Sequence, residues 1–253
     1  MNNLKIINGF LVHPDAMTID AFKELYIALR LKEGRVFNEK EIADLPATSP
    51  SFPHHKEWLL RSRSCNKLMK YIKKHGHIQD ILEVGCGNGW LSAQLSAVAK
   101  GRVTGIDINI VELQQARKVF RHIPNLKFSE GDIITAIPED EKFDLIVFAA
   151  SVQYFKSLKQ TLKIATHYLT LQGEIHIIDS RLYQSYEIRQ ARERSKKYFT
   201  DLGFPEMAHF YFHHCIDEIK SFPYSILYNP NVRINKLLYK NPFHWIVIKN
   251  QDL

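Results

Sequence analysis

Ile81-Leu82-Glu83-Val84-Gly85-Cys86-Gly87-Asn88-Gly89-Trp90-Leu91-Ser92 decides the fold of this 253-residue chain. Ile81 to Val84 read as a short buried strand. Glycines at 85, 87 and 89 then let the backbone turn sharply and come close to a ligand where a Cβ would collide. Leu91, Leu95 and Val98 keep helical spacing, so backbone N–H groups of the loop and of the first helical turn point at whatever binds there. Such a loop suits a nucleotide cofactor. A dinucleotide fingerprint would put its third glycine at position 90, but Trp90 stands there and the third glycine falls at 89.

The next strand strengthens the reading. Gly101-Arg102-Val103-Thr104-Gly105-Ile106-Asp107-Ile108-Asn109 ends in an acid 22 residues beyond Gly85, about the offset at which a Rossmann-type fold sets a carboxylate on ribose hydroxyls. A third unit follows at Leu126–Ser129 with Glu130-Gly131-Asp132-Ile133 behind it. A fourth strand is expected at Phe143–Ala150 and a fifth at Gly173–Asp179. Helical patterns at 90–99, 111–122 and 157–169 alternate with these strands, which is the βαβ rhythm of a doubly wound sheet with right-handed crossovers. Ligands in such sheets bind outside the carboxyl ends of the strands, where every acid singled out here falls.

With Glu83 two residues before the first glycine, the segment resembles the E/D-x-G-x-G-x-G loop of class I S-adenosylmethionine (SAM)-dependent methyltransferases. The resemblance runs from about Trp58 to Asp179 and resumes near the C-terminus, roughly two thirds of the chain. It implies an α/β, Rossmann-like, seven-stranded sheet of order 3-2-1-4-5-7-6. Strand 7 would be antiparallel, and Ser225–Tyr228 and Phe243–Lys249 would form the closing hairpin. It also implies SAM as cofactor, with S-adenosylhomocysteine (SAH) as product. Glu83, Gly85, Cys86, Gly87 and Gly89 would then line the methionine and ribose part, with Asp107 and Ile108 at the ribose. Asp132 and the backbone N–H of Ile133 would read adenine, and Ala149, Ala150 and Ser151 would sit under the methionyl group. Trp58, Arg61 and Arg63 lie where such enzymes often press a cap helix against the cofactor carboxylate. Ser151-Val152-Gln153-Tyr154-Phe155 resembles the small-molecule branch: it lacks the Asp/Asn-Pro-Pro-Tyr/Phe signature of adenine and glutamine N-methyltransferases. It also lacks the acid pair that holds magnesium in catechol-type enzymes, so no metal is expected.

Residues 1–55 read as an N-terminal extension or cap and 56–253 as one domain. The extension carries apolar patches at Leu4–Ile7 and Phe10–Val12, a helix from Thr18 to Lys32 and a Pro/Ser-rich link at 45–53. A basic amphipathic helix is expected from Lys56 to Lys74, and one long charged helix from Arg181 to Asp201. Residues 180–220, with the aromatic stretch His209-Phe210-Tyr211-Phe212-His213-His214-Cys215, are too long for an ordinary connection and read as an insert on the substrate side. An acceptor hydroxyl or ammonium must lose a proton, a task that suits histidine. The candidates are His209, His213 and His214, with Tyr154 just after the fourth strand. A metal reading of these histidines lacks carboxylate or thiolate partners at ligand spacing.

Three cysteines, an odd number without metal-ligand spacing, and no secretory leader at Met1–Leu4 lead to the expectation of a reduced, cytoplasmic protein. No apolar run approaches the ~18 residues of a membrane span. The net charge of +7, dense at 61–74 and 189–197, attracts anions. The expected function is metal-independent methyl transfer to an O or N atom of a small molecule, an anionic or carrier-bound metabolite fitting the charge. Two alternatives stay open: an RNA methyltransferase on the same fold, and a non-catalytic SAM-binding module. Nucleic-acid binding is the weaker of the partner expectations, because no RRM, KH or zinc-knuckle signature is present.

Overall fold

The computed structural model describes residues 5–7, 10–12, 16–237 and 241–250; Leu4, from the first apolar patch, lies outside them. An antiparallel hairpin of β1 (Lys5–Ile7) and β2 (Phe10–Val12) precedes three helices, α1 (Ala16–Lys32), α2 (Glu39–Asp44) and α3 (His55–Lys74). The main unit then runs β3 (Ile81–Val84), α4 (Trp90–Ser96), β4 (Val103–Asp107), α5 (Ile110–Val119), β5 (Leu126–Glu130), β6 (Phe143–Ala149) and α6 (Leu158–His167). It continues with β7 (Leu169–Ser180), α7 (Ile188–Leu202), β8 (Tyr224–Tyr228), α8 (Arg233–Leu237) and β9 (His244–Lys249).

The sheet order is β5-β4-β3-β6-β7-β9-β8. Counted within this seven-stranded sheet alone, that is 3-2-1-4-5-7-6, with the last strand antiparallel to both its neighbours, as the resemblance implies. The strands sort their side chains by alternation. Leu82, Ile146 and Phe148 enter an apolar cluster shared with Leu158, Leu162 and Ala165 of α6. Ile81, Leu145 and Val147 enter a second cluster with Trp58, Leu68 and Ile72 of α3 and Leu91 and Leu95 of α4. A period-2 chain with both faces covered must be apolar almost throughout, which is why β3 is buried at every position, its one acid included.

A third apolar cluster joins pieces far apart in sequence. Leu29, Phe22, Leu25 and Tyr26 of α1 pack on Phe199, Met207, Phe204 and Phe210 of the insert and on Tyr154. The N-terminal helix and the insert therefore form one cap.

Two elements differ from the sequence reading. α2 falls between the helix and the link read from sequence, where no element was expected: Asn38 caps it, accepting from Glu41 N at 3.0 Å while Glu41 accepts from Asn38 N at 2.8 Å. The long helix expected from Arg181 begins only at Ile188. Residues 181–187 instead carry on from β7: Tyr183 pairs with Cys215, and a 3₁₀ turn over Ser185–Glu187 is closed by a capping box between Gln184 and Glu187.

Gly89 is fixed by packing. Its φ is +76°, and a Cβ there would stand 2.5 Å from the Phe128 ring and 2.9 Å from Ala116 Cβ. Gly89→Ala is expected to cost about 2 kcal/mol or more, from overpacking added to left-handed strain. Urea denaturation reads it directly, and an unchanged midpoint would refute this packing.

Candidate active site

The glycine loop is tied to the end of β4 by hydrogen bonds. Gly85 N and Cys86 N both donate to Ile106 O, at 2.9 and 3.0 Å. Gly87 N donates to Asp107 Oδ2 and Asn109 N to Oδ1, both at 2.8 Å. Asp107 thus orients two loops, and its burial pushes the carboxyl above the usual range against the pull of those N–H bonds. Gly85 meets the loop after β6: a Cβ there would lie 2.6 Å from Ser151 Cβ, and Ser151 Oγ donates to Val84 O at 2.7 Å. Asp132 closes the turn after β5, accepting from Ile134 N, Thr135 N and Thr135 Oγ1. All three bonds fall on Oδ1, which leaves Oδ2 to a ligand.

Two cavities meet at this loop. One, about 480 Å³, has Val84, Ile106, Asp107, Ile108, Gly131 and Asp132 along its floor and is roofed by the cap. The other, about 90 Å³, is lined by Arg35, Trp58, Arg61, Glu83, Cys86, Glu112 and Ala149. Tyr26, Gly85, Gly87 and Ala150 belong to both walls, so the two form the ends of one cleft.

The smaller end carries two buried polar atoms without partners, Trp58 Nε1 and Glu112 Oε2, and a third, Arg35 Nε, that makes no hydrogen bond but forms an ion pair with Glu33 Oε2 at 3.3 Å. Two donors and one anionic acceptor are the complement of an α-amino acid zwitterion. The remaining guanidinium nitrogens of Arg35 are engaged, donating to Glu57 at 3.1 and 2.7 Å, and Arg61 donates to the same carboxylate at 2.9 and 2.8 Å. Burial alone would raise Glu57, but hydrogen bonds from Arg35 and the charge of Arg61 outweigh it and hold the carboxyl at about 2. The other acids move upward. Burial pushes Glu83 to about 8, although Ser92 Oγ donates to it. Burial and then the charge of Asp107 raise Glu112 to about 7.

Of the residues read from sequence, Glu83, Gly85, Cys86, Gly87, Asp107, Ile108, Asp132, Ala149, Ala150 and Trp58 line one cavity or the other, as do Tyr154 and His209. Five do not. Gly89 serves the packing already described, Ile133 points its side chain into the core, and Arg63 is exposed while Arg61 takes the cavity wall. His213 is 7% exposed, bonded through Nε2 to Ser195 Oγ at 2.9 Å and packed between Tyr183 and Tyr211. Burial, with the charges of Arg192 and Arg194, lowers its pKa to about 4. His214 donates from Nε2 to Val152 O at 2.9 Å and is equally closed off. These two histidines are structural pins of the insert. Sequence reading missed Phe22, Tyr26, Arg35 and Glu112. The i, i+4 step of Phe22 and Tyr26 was a signal, as was an acid five residues past Asp107 in the first turn of α5. Among the described residues, no group of three or more His, Cys, Asp or Glu side chains is placed to hold a metal ion. Nor, among them, is any helix long and apolar enough to cross a membrane.

Comparison with known proteins agrees with this geometry. A family model described as "Methyltransferase domain" matches residues 77–244, about two thirds of the chain. Similar proteins include the malonyl-[acyl-carrier protein] O-methyltransferase of Bacillus cereus, 29% identical over 132 residues, covering 49% of this chain and 47% of that protein. The enzyme of the same name from Acetivibrio thermocellus is 34% identical over 115 residues, covering 43% and 40%. The chain thus spans less than half the length of these curated relatives. Among solved structures, the plantazolicin methyltransferase BpumL in complex with a monoazolic desmethylPZN analog and SAH covers 93% of this chain and 100% of its own, at 18% identity and TM-score 0.53. Geranyl diphosphate methyltransferase in complex with SAM covers 81% and 93%, at 10% identity and TM-score 0.56. These two share the fold. The chain belongs to the methyltransferase-domain family, as a class I, SAM-dependent member.

The raised carboxyls fix the sign of a pH effect. Glu83 at about 8, Glu112 at about 7 and Asp179 at about 6 keep protons in the folded chain after the unfolded chain has lost them. Their contribution to stability is full below the ordinary carboxylate pKa of about 4.3 and is lost as pH climbs through those values. Glu57 and Glu174, both held at about 2, act in the opposite sense and only below that range. Buried His213, held at about 4, and His176 and His244, lowered likewise, pull the other way up to the ordinary histidine pKa of about 6.5, so the free protein should lose stability from pH 6.5 to pH 8.5. Glu112→Gln should flatten that decline and raise Tm at pH 8. Thermal denaturation across this range checks it, and a variant less stable than the parent at pH 8 would contradict the account.

Proposed function

We propose that this chain transfers the methyl group of SAM to an oxygen or nitrogen atom of a small acidic acceptor held in the larger cavity. The observation that carries the reading is the single cleft with two unlike ends. One offers Asp107 and the Oδ2 of Asp132, the other the unpartnered Trp58 Nε1 and Glu112 Oε2 beside the Arg35 guanidinium, as a nucleoside joined to an amino acid requires. When bound, SAM supplies a methyl group on an already activated sulfonium. The chain's own work is alignment and exclusion of water.

Asp107 would accept from the ribose hydroxyls and Asp132 from the adenine amino group, with the N–H of Ile133 beside it. Arg35 Nε and Trp58 Nε1 would donate to the carboxylate, and Glu112 Oε2 would accept from the ammonium group. Tyr154 accepts from Arg30 Nη2 at 3.0 Å, so its own hydroxyl proton is free to turn toward the acceptor. His209, on the wall and exposed to solvent, can take a proton from the acceptor and pass it to water. The charge of +7 and the relatives named for an acyl-carrier substrate support an acidic acceptor over a neutral one.

Calorimetric titration with SAM and SAH tests the reading. Both are expected to bind the free protein, and Asp107→Asn should weaken each at least tenfold, about 1.4 kcal/mol or more, without loss of fold. A well-folded parent that takes up neither would sink it.

A further inference from the structure

The half of the larger cavity not claimed by the nucleoside end is walled by rings from three separate elements. Phe22 and Tyr26 come from α1, Tyr154 and Phe155 from the segment after β6, and Phe210 and Phe212 from the insert. The rings are held at defined angles. Phe22 lies 5.6 Å from each of Tyr26, Tyr154 and Phe210, tilted by 40°, 54° and 55°, and Tyr26 meets Tyr154 edge-on at 86°. Phe155 is braced from behind by Phe148, edge to face at 5.8 Å. Rings packed at such angles present both faces, which are electron-rich, and edges, which are electron-poor, to the cavity they line. A flat ring gains from both contacts, whereas an aliphatic chain gains only the buried area.

The polar groups of this wall are few and sit together. Lys156 lies at the rim, exposed, with no ion-pair or hydrogen-bond partner among the described residues. The arginines that line the smaller end are paired: Arg30 with Glu33, and Arg35 and Arg61 with Glu57. Lys156 is two residues past Tyr154, so a negative charge at the rim and a nucleophile near the Tyr154 hydroxyl would belong to opposite ends of one short, rigid molecule.

We propose that the acceptor is a flat aromatic acid, a hydroxy- or amino-substituted arene carboxylate. Its ring lies against the wall formed by Phe22, Tyr26, Tyr154 and Phe210, its carboxylate faces Lys156, and its hydroxyl or amino group faces inward. The placement rests on the methyl-transfer reading above, but the test reads binding alone. Protein saturated with SAH, the saturation itself measured by titration, is titrated with 6-hydroxy-2-naphthoate, octanoate and 2-naphthol. The naphthoate is expected to bind at least tenfold more tightly than octanoate, which keeps the charge without the ring. It should also bind at least tenfold more tightly than 2-naphthol, which keeps the ring without the charge. Lys156→Ala should bring the naphthoate down to the level of 2-naphthol, and Phe210→Leu, close in volume but without the ring, should erase its advantage over octanoate. SAH affinity should hold in both variants. Octanoate binding as well as the naphthoate, or an SAH-loaded protein that takes up no naphthoate, overturns this inference alone. Failure of SAH to bind overturns the methyl-transfer reading and this inference with it.

Discussion

The carboxylate of Asp107 is the constraint on which the site depends. Each of its oxygens takes a backbone N–H, Gly87 on one side and Asn109 on the other, so one buried acid sets the course of the loop after β3 and of the turn into α5. Parallel register brings the two strands into step, with Val84 opposite Ile106 one residue before each chain breaks away. Without a shared acceptor there, Gly87 N–H would face a ligand site with nothing to orient it. After burial, the charge of the same acid is the next cause that raises Glu112, so the group that fixes the loop also tunes the smaller end of the cleft.

That arrangement is costly for the free protein. Glu83, Asp107 and Glu112 cluster in low dielectric, and the unpartnered Trp58 Nε1 adds a desolvated donor with no compensation. Backbone strain gathers at the same end of the sheet. Ala150 and Asp179, which follow β6 and sit near the end of β7, hold φ of +53° and +52° although neither is glycine. Two large apolar clusters, one on each face of the sheet, offset these local losses. A ligand that supplied the missing partners would recover that cost on binding.

The sheet was legible because glycines and acids at strand ends are punctuation that survives without neighbours: Gly85, Asp107, Asp132 and the apolar runs between them fixed five strands in order. What failed needed tertiary context. Nothing in the local sequence distinguishes Gly89, which packs on Phe128, from Gly87, which faces the cleft. His213 and His214 looked like bases because an aromatic stretch in a long insert suggests a pocket, but Ser195 and the Val152 carbonyl hold their rings away from it. The start of α7 was misplaced because Arg181 to Glu187 carry helix-compatible residues, while a bridge from Tyr183 to Cys215 and the 3₁₀ turn over Ser185–Glu187 take up the segment instead. Asn38 and Glu41 formed a capping box that a closer reading of residues 38–41 would have caught.

The family match begins at residue 77, so it takes in the glycine loop, Asp107, Asp132 and the insert but none of Phe22, Tyr26, Arg35 or Trp58. Those four close the zwitterion end and half of the aromatic wall, and Tyr26 touches both ends of the cleft. Phe22 and Tyr26 are set by the third apolar cluster, where Leu29 at 3% exposure and Met207 at 0% bind α1 to the insert, and by Arg30, which reaches across to Tyr154, while Trp58 belongs to the second cluster and Arg35 is held by Glu57. The register of the sheet does not dictate any of these contacts. A change in the cap could therefore replace the acceptor pocket while leaving β3, β4 and the nucleoside end unaltered, and resemblance over residues 77–244 carries the fold and the cofactor without carrying the acceptor.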